Sequence, residues 1–303
     1  MRENKSKKYL IYLAVFTILL DITIGKIYEY SFFSESSRAN DRLIKSVLHT
    51  NEEILIFGSS RALHHYNPKI FEDLLSQTTY NVGSGGQNIY FHKALLQTVL
   101  ERYTPKVAIL ELMYIDFQKT PSQWDTEKLG VLLPFADKSE SAKNTVMLRG
   151  YSESIKLLSW IYPFNSLQYT ALRNNFFPFE NDIKGHLPID RVWNKKRSVA
   201  GLFQEEFDFK KVSSLYEFVD ICKNAGIELF VFISPHYALD SGKNLYSGIK
   251  EKLRREKGIK VFDFQSDSLF LNHPEYFADP FHLNRRGAEI YSRLVAKVIR
   301  NSK

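Results

Sequence analysis

The sequence predicts an α/β domain in which one five-stranded parallel sheet is covered by helices on both faces, preceded by one membrane-spanning helix. Two observations lead to this fold class. From residue 51 onward, five short apolar runs typical of buried strands alternate with helical patterns. Strands joined by crossover helices form parallel sheets with both faces covered. Near the amino terminus, a longer apolar segment follows a cluster of basic residues.

Composition and charge narrow the class of protein further. Of the 303 residues, 44% are hydrophobic and 14% aromatic, which is enough for one large domain with a substantial core. The 41 basic and 34 acidic residues give a formal charge of +7, a mild excess that fits an anionic surface or ligand as readily as nucleic acid. Cys222 is the single cysteine, so the chain has no internal disulfide and no cysteine-rich metal site.

The amino-terminal segment predicts a membrane anchor. Residues 9–25 (YLIYLAVFTILLDITIG) are apolar apart from Asp21 and two threonines, and as a helix they reach roughly 25 Å, against about 30 Å for a hydrocarbon core. The preceding basic residues place residues 1–8 in the cytoplasm, residues 9–26 in the membrane and the rest outside, in the periplasm or extracellular space. Two alternatives stay open: a cleaved signal peptide, although no small-x-small pattern follows, and a buried amphipathic helix, although apolar residues cover every face.

The rest of the chain is predicted to be a helical stalk at residues 27–50 and one domain over residues 51–303. The strand candidates are Glu53–Phe57, Thr79–Val82, Lys106–Leu112, Ile227–Ile233 and Ile259–Phe262. The helix candidates, several with an Asn or Asp cap, are Pro68–Leu75, Ile89–Tyr103, Phe209–Ala225, Lys243–Lys257 and Arg285–Arg300. The gap at about residues 117–208 is too long for a simple crossover and predicts an insertion packed over the edge of the sheet. A lid, a partner surface and a second folded domain are all compatible with this insertion.

Residues with chemical potential follow the predicted strands at the point where each strand ends. Ser60 follows the first strand, a glycine-rich run at residues 83–86 follows the second, and Asp279 and His282 lie after the fifth. Because the carboxyl ends of parallel strands meet at one edge of a sheet, we expect these residues to share one rim. A serine, an imidazole and a carboxylate brought together supply a nucleophile, a general base and a group that orients the base. Glycine amides beside the serine are able to approach a substrate oxyanion.

These segments resemble the SGNH/GDSL hydrolase superfamily. Gly58-Ser59-Ser60 is similar to its first block, with serine in place of the usual aspartate, which puts the nucleophile on Ser60. Gly86 is similar to the block that supplies a backbone oxyanion donor, and Asp279-Pro280-Phe281-His282 to the final Asp-x-x-His block. The Gly-Ser-Ser variant behind a membrane anchor resembles the branch that contains the teichoic-acid D-alanylation and alginate O-acetylation proteins. The resemblance implies a three-layer, flavodoxin-like α/β/α fold, without a metal or organic cofactor, that acts on ester-linked acyl groups, often of cell-envelope glycans.

The predicted site therefore has Ser60 as nucleophile, His282 as general base and Asp279 as the residue that orients His282. The amides of Ser60 and Gly86 are expected to bind the oxyanion. The resemblance places Ile115 where the family has an oxyanion-donating asparagine. Either Asn88, Gln87 or another amide replaces that donor, or the protein is a slow hydrolase, which leaves a transferase and an inactive binder open.

Two further residues are candidates for contact with the substrate. Arg61 follows the nucleophile and is able to pair with an anionic group, although a helix-surface salt bridge is the simpler interpretation. His236 follows the end of the fourth strand and is expected to face the same rim. No metal is expected, because His92, His186 and His273 lack ligand spacing with other donor residues.

The expected function is a membrane-anchored, extracytoplasmic serine acyl-ester hydrolase or O-acyltransferase that acts on cell-envelope glycans. Its expected partners are the lipid bilayer, an acyl-ester or glycan substrate and polysaccharide-modification machinery. A nucleic-acid role is not expected, because it would require this surface to be in the cytoplasm. The alternative is a non-catalytic, glycan-binding accessory protein of envelope polysaccharide assembly, which Ile115 supports. A soluble secreted esterase is a third interpretation.

Overall fold

The computed structural model describes residues 2–34, 39–167, 183–194, 207–237 and 243–302. A five-stranded, wholly parallel sheet in the order β2-β1-β3-β4-β5 confirms the predicted fold class. Each strand begins and ends within two residues of its predicted bounds. The strands are β1 (Ile54–Phe57), β2 (Thr79–Asn81), β3 (Val107–Glu111), β4 (Glu228–Ile233) and β5 (Val261–Asp263).

Both faces of the sheet are buried, because helices cover each of them. Successive side chains of a strand point to opposite faces. In β1, Leu55 and Phe57 therefore belong to one core cluster and Ile54 and Ile56 to the other, and all four are fully buried. The ring of Phe57 packs edge-on against that of Phe218, with centroids 5.3 Å apart. A strand that is apolar at every position fits this two-sided burial.

The α-helices follow the predicted pattern in the domain and add short segments in the insertion. They are α1 (Arg2–Phe33), α2 (Ala39–Ile44), α3 (Ser60–His65), α4 (Pro68–Leu75), α5 (Ile89–Leu100), α6 (Ser122–Glu127), α7 (Glu140–Val146), α8 (Glu153–Lys156), α9 (Phe209–Asn224), α10 (Lys243–Lys252), α11 (Ser268–Leu271) and α12 (Arg285–Ser302). Shorter 3₁₀ segments are Tyr114–Phe117, Lys128–Phe135, Met147–Arg149, Tyr162–Phe164 and Pro274–Tyr276, and π-helical turns are Lys45–His49 and Leu253–Lys257.

The predicted caps are present at the helix starts. The side chain of Asn67 accepts a hydrogen bond from the amide of Lys69, and that of Asp208 accepts one from Lys210. These contacts satisfy amides that have no partner within the first turn of a helix.

The amino-terminal helix α1 is long and apolar enough over Lys5–Phe33 to cross a membrane, and most of it is exposed. A membrane anchor and a signal sequence share this length and composition. The described parts of the predicted stalk, residues 27–34 and 39–50, pack on the domain instead of standing apart from it. Phe32, Ile44 and Val47 are buried in the main core, and the ring of Phe32 lies 5.9 Å from that of Phe135. The aromatic end of α1 is thus part of the folded unit.

The described parts of the predicted insertion pack on the domain in two places. Residues 117–167 form short helices against α5, where the hydroxyls of Ser139 and Thr98 lie 3.0 Å apart. Residues 168–182 and 195–206 lie outside the described residues.

The second described part, residues 183–194, runs along the edge strand β2. The amide of Asn81 donates to the carbonyl of Lys184 over 3.0 Å. Gly185 has φ +85°, and a Cβ there would stand 2.0 Å from the carbonyl oxygen of Asn81. Glycine is therefore required for this close approach. The segment then continues toward the rim at the carboxyl ends of the strands.

Candidate active site

Ser60 stands at the start of α3, directly after β1, in a turn that requires glycine. Gly58 has φ +137°, and a Cβ on it would meet the carbonyl oxygen of Glu111 at 2.8 Å and the Cβ of Ala62 at 2.9 Å. The turn places Ser60 at the carboxyl edge of the sheet, where its side chain is partly exposed.

The structure brings Ser60, His282 and Asp279 together, although Ser60 and His282 are 222 positions apart in the chain. The Oγ of Ser60 lies 2.8 Å from Nε2 of His282, and Nδ1 of His282 lies 2.9 Å from Oδ1 of Asp279. A carboxylate only accepts, so Nδ1 carries the proton and donates to Asp279. Nε2 is then the acceptor for the hydroxyl of Ser60. This is the geometry of a nucleophile beside an oriented general base.

The carboxylate of Asp279 is held by its own loop and by the insertion. Its Oδ1 also accepts from the amides of Phe281 and His282, at 2.9 and 3.0 Å, and Nη2 of Arg191 donates to Oδ2 over 3.3 Å. Burial alone would raise the pKa of Asp279, but the hydrogen bonds from His282 and these two amides outweigh it, so the pKa lies below its ordinary value. Asp279 is therefore charged wherever His282 is to act as a base.

The glycine-rich loop after β2 lies beside Ser60. The amide of Ser84 donates to the carbonyl of Gly58 over 3.0 Å, and a Cβ on Gly85 would stand 3.9 Å from the Cβ of Ser60. Gly86 has φ +76° and open space around its Cα, and it is exposed. The role of the Gly86 amide as an oxyanion donor stays a prediction.

Asn88 and Gln87 are engaged in other contacts, so the structure does not present them as replacements for the oxyanion donor. The Oδ1 of Asn88 accepts from the amide of Tyr90 as the cap of α5, and its Nδ2 donates to Asp125 over 3.1 Å. Gln87 donates to the carbonyl of Lys128 over 3.3 Å. Both side chains fasten the insertion to the domain. Ile115 lies in the segment Tyr114–Phe117, and its side chain is outside what the structure describes.

Arg61 and His236 are both buried, so neither is an exposed group on the rim. Arg61 is 2% exposed, and its Nη1 lies 3.4 Å from the carbonyl of Ser234 and 3.9 Å from Oε1 of Glu111. The predicted contact of Arg61 with an anionic substrate is therefore not what the structure presents, because the first turn of α3 directs this side chain beneath the site. The ring of His236 lies 6.3 Å from the ring of Phe281, and Phe281 stands between Asp279 and His282 in the sequence.

A buried polar chain supports the loop that carries His282, and the sequence analysis missed it. The amide of Leu283 donates to Nε2 of His65 over 2.9 Å, and Nδ1 of His65 donates to Oγ of Ser234 over 2.8 Å. The hydroxyl of Ser234 donates in turn to Oε1 of Glu111 over 2.6 Å. Burial holds the pKa of His65 well below its ordinary value, so the ring is neutral and able to accept at Nε2.

The carboxyl group of Glu111 ends this series of hydrogen bonds and accepts from several donors. Its Oε1 accepts from the amide and the hydroxyl of Ser234, its Oε2 accepts from the hydroxyl of Tyr66, and Arg61 lies beside it. A glutamate that ends an otherwise apolar, buried strand was the one available sequence signal, since charged residues are almost never fully buried without partners. These hydrogen bonds position the main chain next to His282, so His65, Ser234 and Glu111 are positioning residues.

Removal of Glu111 is expected to destabilise the fold. We expect Glu111→Ala to lower the free energy of unfolding by about 3–5 kcal/mol, because Ser234, Tyr66 and Arg61 would stay buried without their common partner. Glu217→Ala is the matched control, since it breaks the exposed ion pair with Lys93 (2.6 Å) and is expected to cost below about 1 kcal/mol. Urea unfolding followed by circular dichroism measures both values. Equal losses in the two variants would contradict the role given to Glu111.

The same carboxyl group predicts a dependence of stability on pH. Burial raises the pKa of Glu111 from 4.5 to about 7, although Arg61 and the hydroxyls of Ser234 and Tyr66 limit the rise. Between these two values the folded chain binds more protons than the unfolded chain, so the contribution of this group is full below pH 4.5 and is lost as the pH rises through about 7. Thermal melts are expected to show a shallower decline for Glu111→Gln than for the wild type. An unchanged slope would contradict the raised pKa.

Among the described residues, no group of three or more His, Cys, Asp or Glu side chains is placed to hold a metal ion.

Comparisons with known proteins find similarity at the level of solved structures alone. No family model matches the chain, and the curated proteins gave no match either. A Bacteroides fragilis protein described as an acylhydrolase is 12% identical, with 84% of this chain and 89% of that chain covered and a TM-score of 0.42. The YxiM protein of Bacillus subtilis is 13% identical, with 84% and 57% covered and a TM-score of 0.44. A GDSL-like lipase of Bacteroides thetaiotaomicron is 10% identical, with 92% and 98% covered and a TM-score of 0.40. Likenesses this weak assign neither a family nor an activity.

Proposed function

We propose that this protein is a membrane-anchored, extracytoplasmic serine enzyme that cleaves acyl esters or transfers their acyl groups. The observation that carries the proposal is the continuous hydrogen-bonded series from Asp279 through His282 to Ser60, with 2.9 and 2.8 Å between the joined atoms. Each donor and acceptor in this series has the direction that proton transfer from the serine requires. A non-catalytic glycan-binding protein would have no need of that alignment.

In the proposed first half-reaction, Oγ of Ser60 attacks the acyl carbonyl carbon while its proton passes to Nε2 of His282. The carboxylate of Asp279 stabilises the imidazolium that forms. The negative charge that develops on the carbonyl oxygen is bound by the amides of Ser60 and Gly86. As the ester bond breaks, the imidazolium gives its proton to the leaving alcohol, and the acyl group stays on Ser60.

In the second half-reaction, an acceptor hydroxyl attacks the acyl carbon while His282 removes its proton. The bond to Oγ of Ser60 then breaks, and the imidazolium returns the proton to the serine. Water as acceptor gives hydrolysis, and a sugar hydroxyl gives transfer. The resemblance to envelope-modifying enzymes and the exposed rim favour cell-envelope glycans as the substrate class. The apolar part of α1, which follows the basic residues of its first turns, supports a membrane location with the domain outside.

Turnover of a simple ester tests this proposal. The purified full-length protein is expected to release nitrophenol from 4-nitrophenyl acetate, with an initial burst if breakdown of the acyl-enzyme is slow. Addition of an amino-sugar oligosaccharide is expected to yield an acetylated sugar if the enzyme is a transferase, and acetate alone if it is a hydrolase. Binding of the oligosaccharide without any nitrophenol release would support the accessory protein instead.

The membrane location has its own measurement. The full-length protein is expected to stay with the membrane fraction through an alkaline wash, because α1 remains attached. Release into the supernatant as a chain that has lost its first residues would contradict the anchor and support a cleaved signal peptide.

A further inference from the structure

A stripe of large apolar side chains faces solvent on the insertion. Leu148, Tyr151, Ile155 and Leu158 are 53%, 94%, 69% and 78% exposed. Leu148 lies in the 3₁₀ segment Met147–Arg149 and Ile155 in the helix Glu153–Lys156, and Gly150, with φ +144°, separates the two segments. In a globular protein, large apolar side chains normally lie against the core. These four side chains, which we call the apolar stripe, instead point away from it.

One acidic side chain of the same segment is buried. Glu153 is 2% exposed, and its carboxylate accepts from Nζ of Lys156 over 2.9 Å and from the hydroxyl of Tyr162 over 2.6 Å. Nη1 of Arg149 lies 3.6 Å from it. The segment therefore exposes four large apolar side chains while it buries a carboxylate. Several large apolar side chains exposed within one short segment indicate a surface that contacts something other than water.

The residues that follow the stripe, Ser159 and Trp160, contact α1. The carboxylate of Asp21, within the predicted span, accepts from the hydroxyl of Ser159 over 2.6 Å and from the amide of Trp160 over 2.8 Å. Gly25 allows the closest contact, because a Cβ there would stand 2.4 Å from the Cβ of Trp160. Nζ of Lys26 lies 4.4 Å from the centre of the Trp160 ring. The stripe thus ends at the part of α1 where its apolar segment gives way to charged residues.

We propose that the apolar stripe lies in the interfacial region of the phospholipid bilayer, as a second membrane contact of the domain. This inference rests on the proposed membrane anchor. Residues 21–26 of α1 lie at the boundary between the hydrocarbon core and the headgroups. Because the stripe adjoins this part of α1, it meets the bilayer at that boundary. Tryptophan and tyrosine are enriched at this boundary, and apolar helix faces bury about 5–10 Å into it.

The position of Asp21 follows from the same arrangement. A carboxylate in an apolar span is costly unless it finds partners. Here the insertion supplies two donors to it, so the charge lies against protein instead of lipid. A helix and a stripe together fix the tilt of the domain relative to the membrane, which one helix alone would leave free to rotate. The active-site rim is then held at a constant height above the lipid surface.

Fluorescence quenching in vesicles tests the proposal. Single-cysteine labels of an environment-sensitive dye are placed by Leu158→Cys on the stripe, Leu13→Cys in the anchor and Lys297→Cys on the exposed face of α12. The native Cys222 is buried and its thiol pKa is raised to about 12, so it takes up little dye, and unmodified protein measures that background. The full-length protein is reconstituted in vesicles of phosphatidylethanolamine and phosphatidylglycerol, with and without nitroxide lipids. Tyr151→Cys is a second stripe site if Leu158→Cys fails to fold.

The labels at positions 13 and 158 are expected to lose fluorescence about threefold or more with nitroxide lipids, and the label at 297 to change little. Water-soluble iodide is expected to give the reverse order. If position 13 is quenched and positions 158 and 151 behave like 297, the second contact is overturned and the anchor stands. If position 13 also behaves like 297, the anchor itself fails. Protection of position 158 from both quenchers that disappears on dilution would identify a second copy of the chain and overturn the lipid contact.

Discussion

Replacement of Ser60 by alanine is expected to lower the rate of ester hydrolysis by about 10³-fold or more. The variant loses the hydroxyl that lies 2.8 Å from Nε2 of His282 and leaves the remaining groups in place. Binding and oxyanion stabilisation alone account for the residual rate. Steady-state turnover of 4-nitrophenyl acetate by the full-length protein measures the change.

Ser59 gives a matched control one residue away. Its hydroxyl is buried, lies 3.9 Å from the sulfur of Met113 and hydrogen-bonds to the carboxyl of Asp116. We expect Ser59→Ala to keep activity within about threefold of the wild type, since Ser59 is not part of the hydrogen-bonded series that joins Ser60, His282 and Asp279. An inactive Ser59→Ala beside an active Ser60→Ala would reverse the assignment of the nucleophile.

The second large effect is expected from Asp279→Asn, which should lower kcat by about 10³–10⁴-fold with the fold intact. The asparagine amide is able to donate to Nδ1 of His282, and this moves the ring proton to Nε2. A protonated Nε2 has no lone pair to accept the proton of Ser60. Circular dichroism and thermal melts establish that the variant is folded, and the kinetic assay measures the loss.

Asp190→Asn is the control for Asp279→Asn. Asp190 is an exposed carboxylate on the neighbouring segment, paired with Nε of Arg285 at 2.6 Å, and it makes no contact with His282 in the described structure. Its replacement is expected to leave kcat nearly unchanged. Full activity of Asp279→Asn would show that the imidazole needs no carboxylate here and would contradict the proton transfer proposed for this site.

The carboxylate of Asp279 also makes the free energy of unfolding depend on pH in the acid range. Because its pKa is lower in the folded chain than in the unfolded chain, its contribution is present at neutral pH and is lost as the pH falls through the folded value. The Asn variant lacks that contribution and its acid dependence. Comparison of melting temperatures between neutral and acid pH separates this effect from the catalytic one.

Local patterns in the sequence were sufficient to predict most of the domain. Apolar runs, helix caps and glycine positions are short-range features, and the strands and helix starts agree with them closely. The juxtaposition of Ser60 with His282 followed from topology, because parallel strands end at one edge. The chemical roles of these residues stay a proposal.

The rest of the site depends on contacts between distant segments, which leave no local pattern. The series of hydrogen bonds from Leu283 through His65 and Ser234 to Glu111 joins four segments of the protein, and no spacing in the sequence predicts it. Arg61 looked like a substrate ligand because it follows Ser60, but the turn of α3 directs it beneath the site instead. The apolar stripe consists of large apolar side chains, which normally predict burial, and only its neighbours in space show which way it faces.

The most direct test of the account is to find which atom of the wild-type protein becomes covalently modified. A fluorophosphonate reacts with a serine hydroxyl that is activated by a neighbouring imidazole, and tandem mass spectrometry of the digested protein locates the adduct. One phosphonylated residue, Ser60, is expected in the wild-type protein, and none is expected after His282→Ala. An adduct on Ser59 or on any other residue, or a folded protein that takes up no probe, would contradict it.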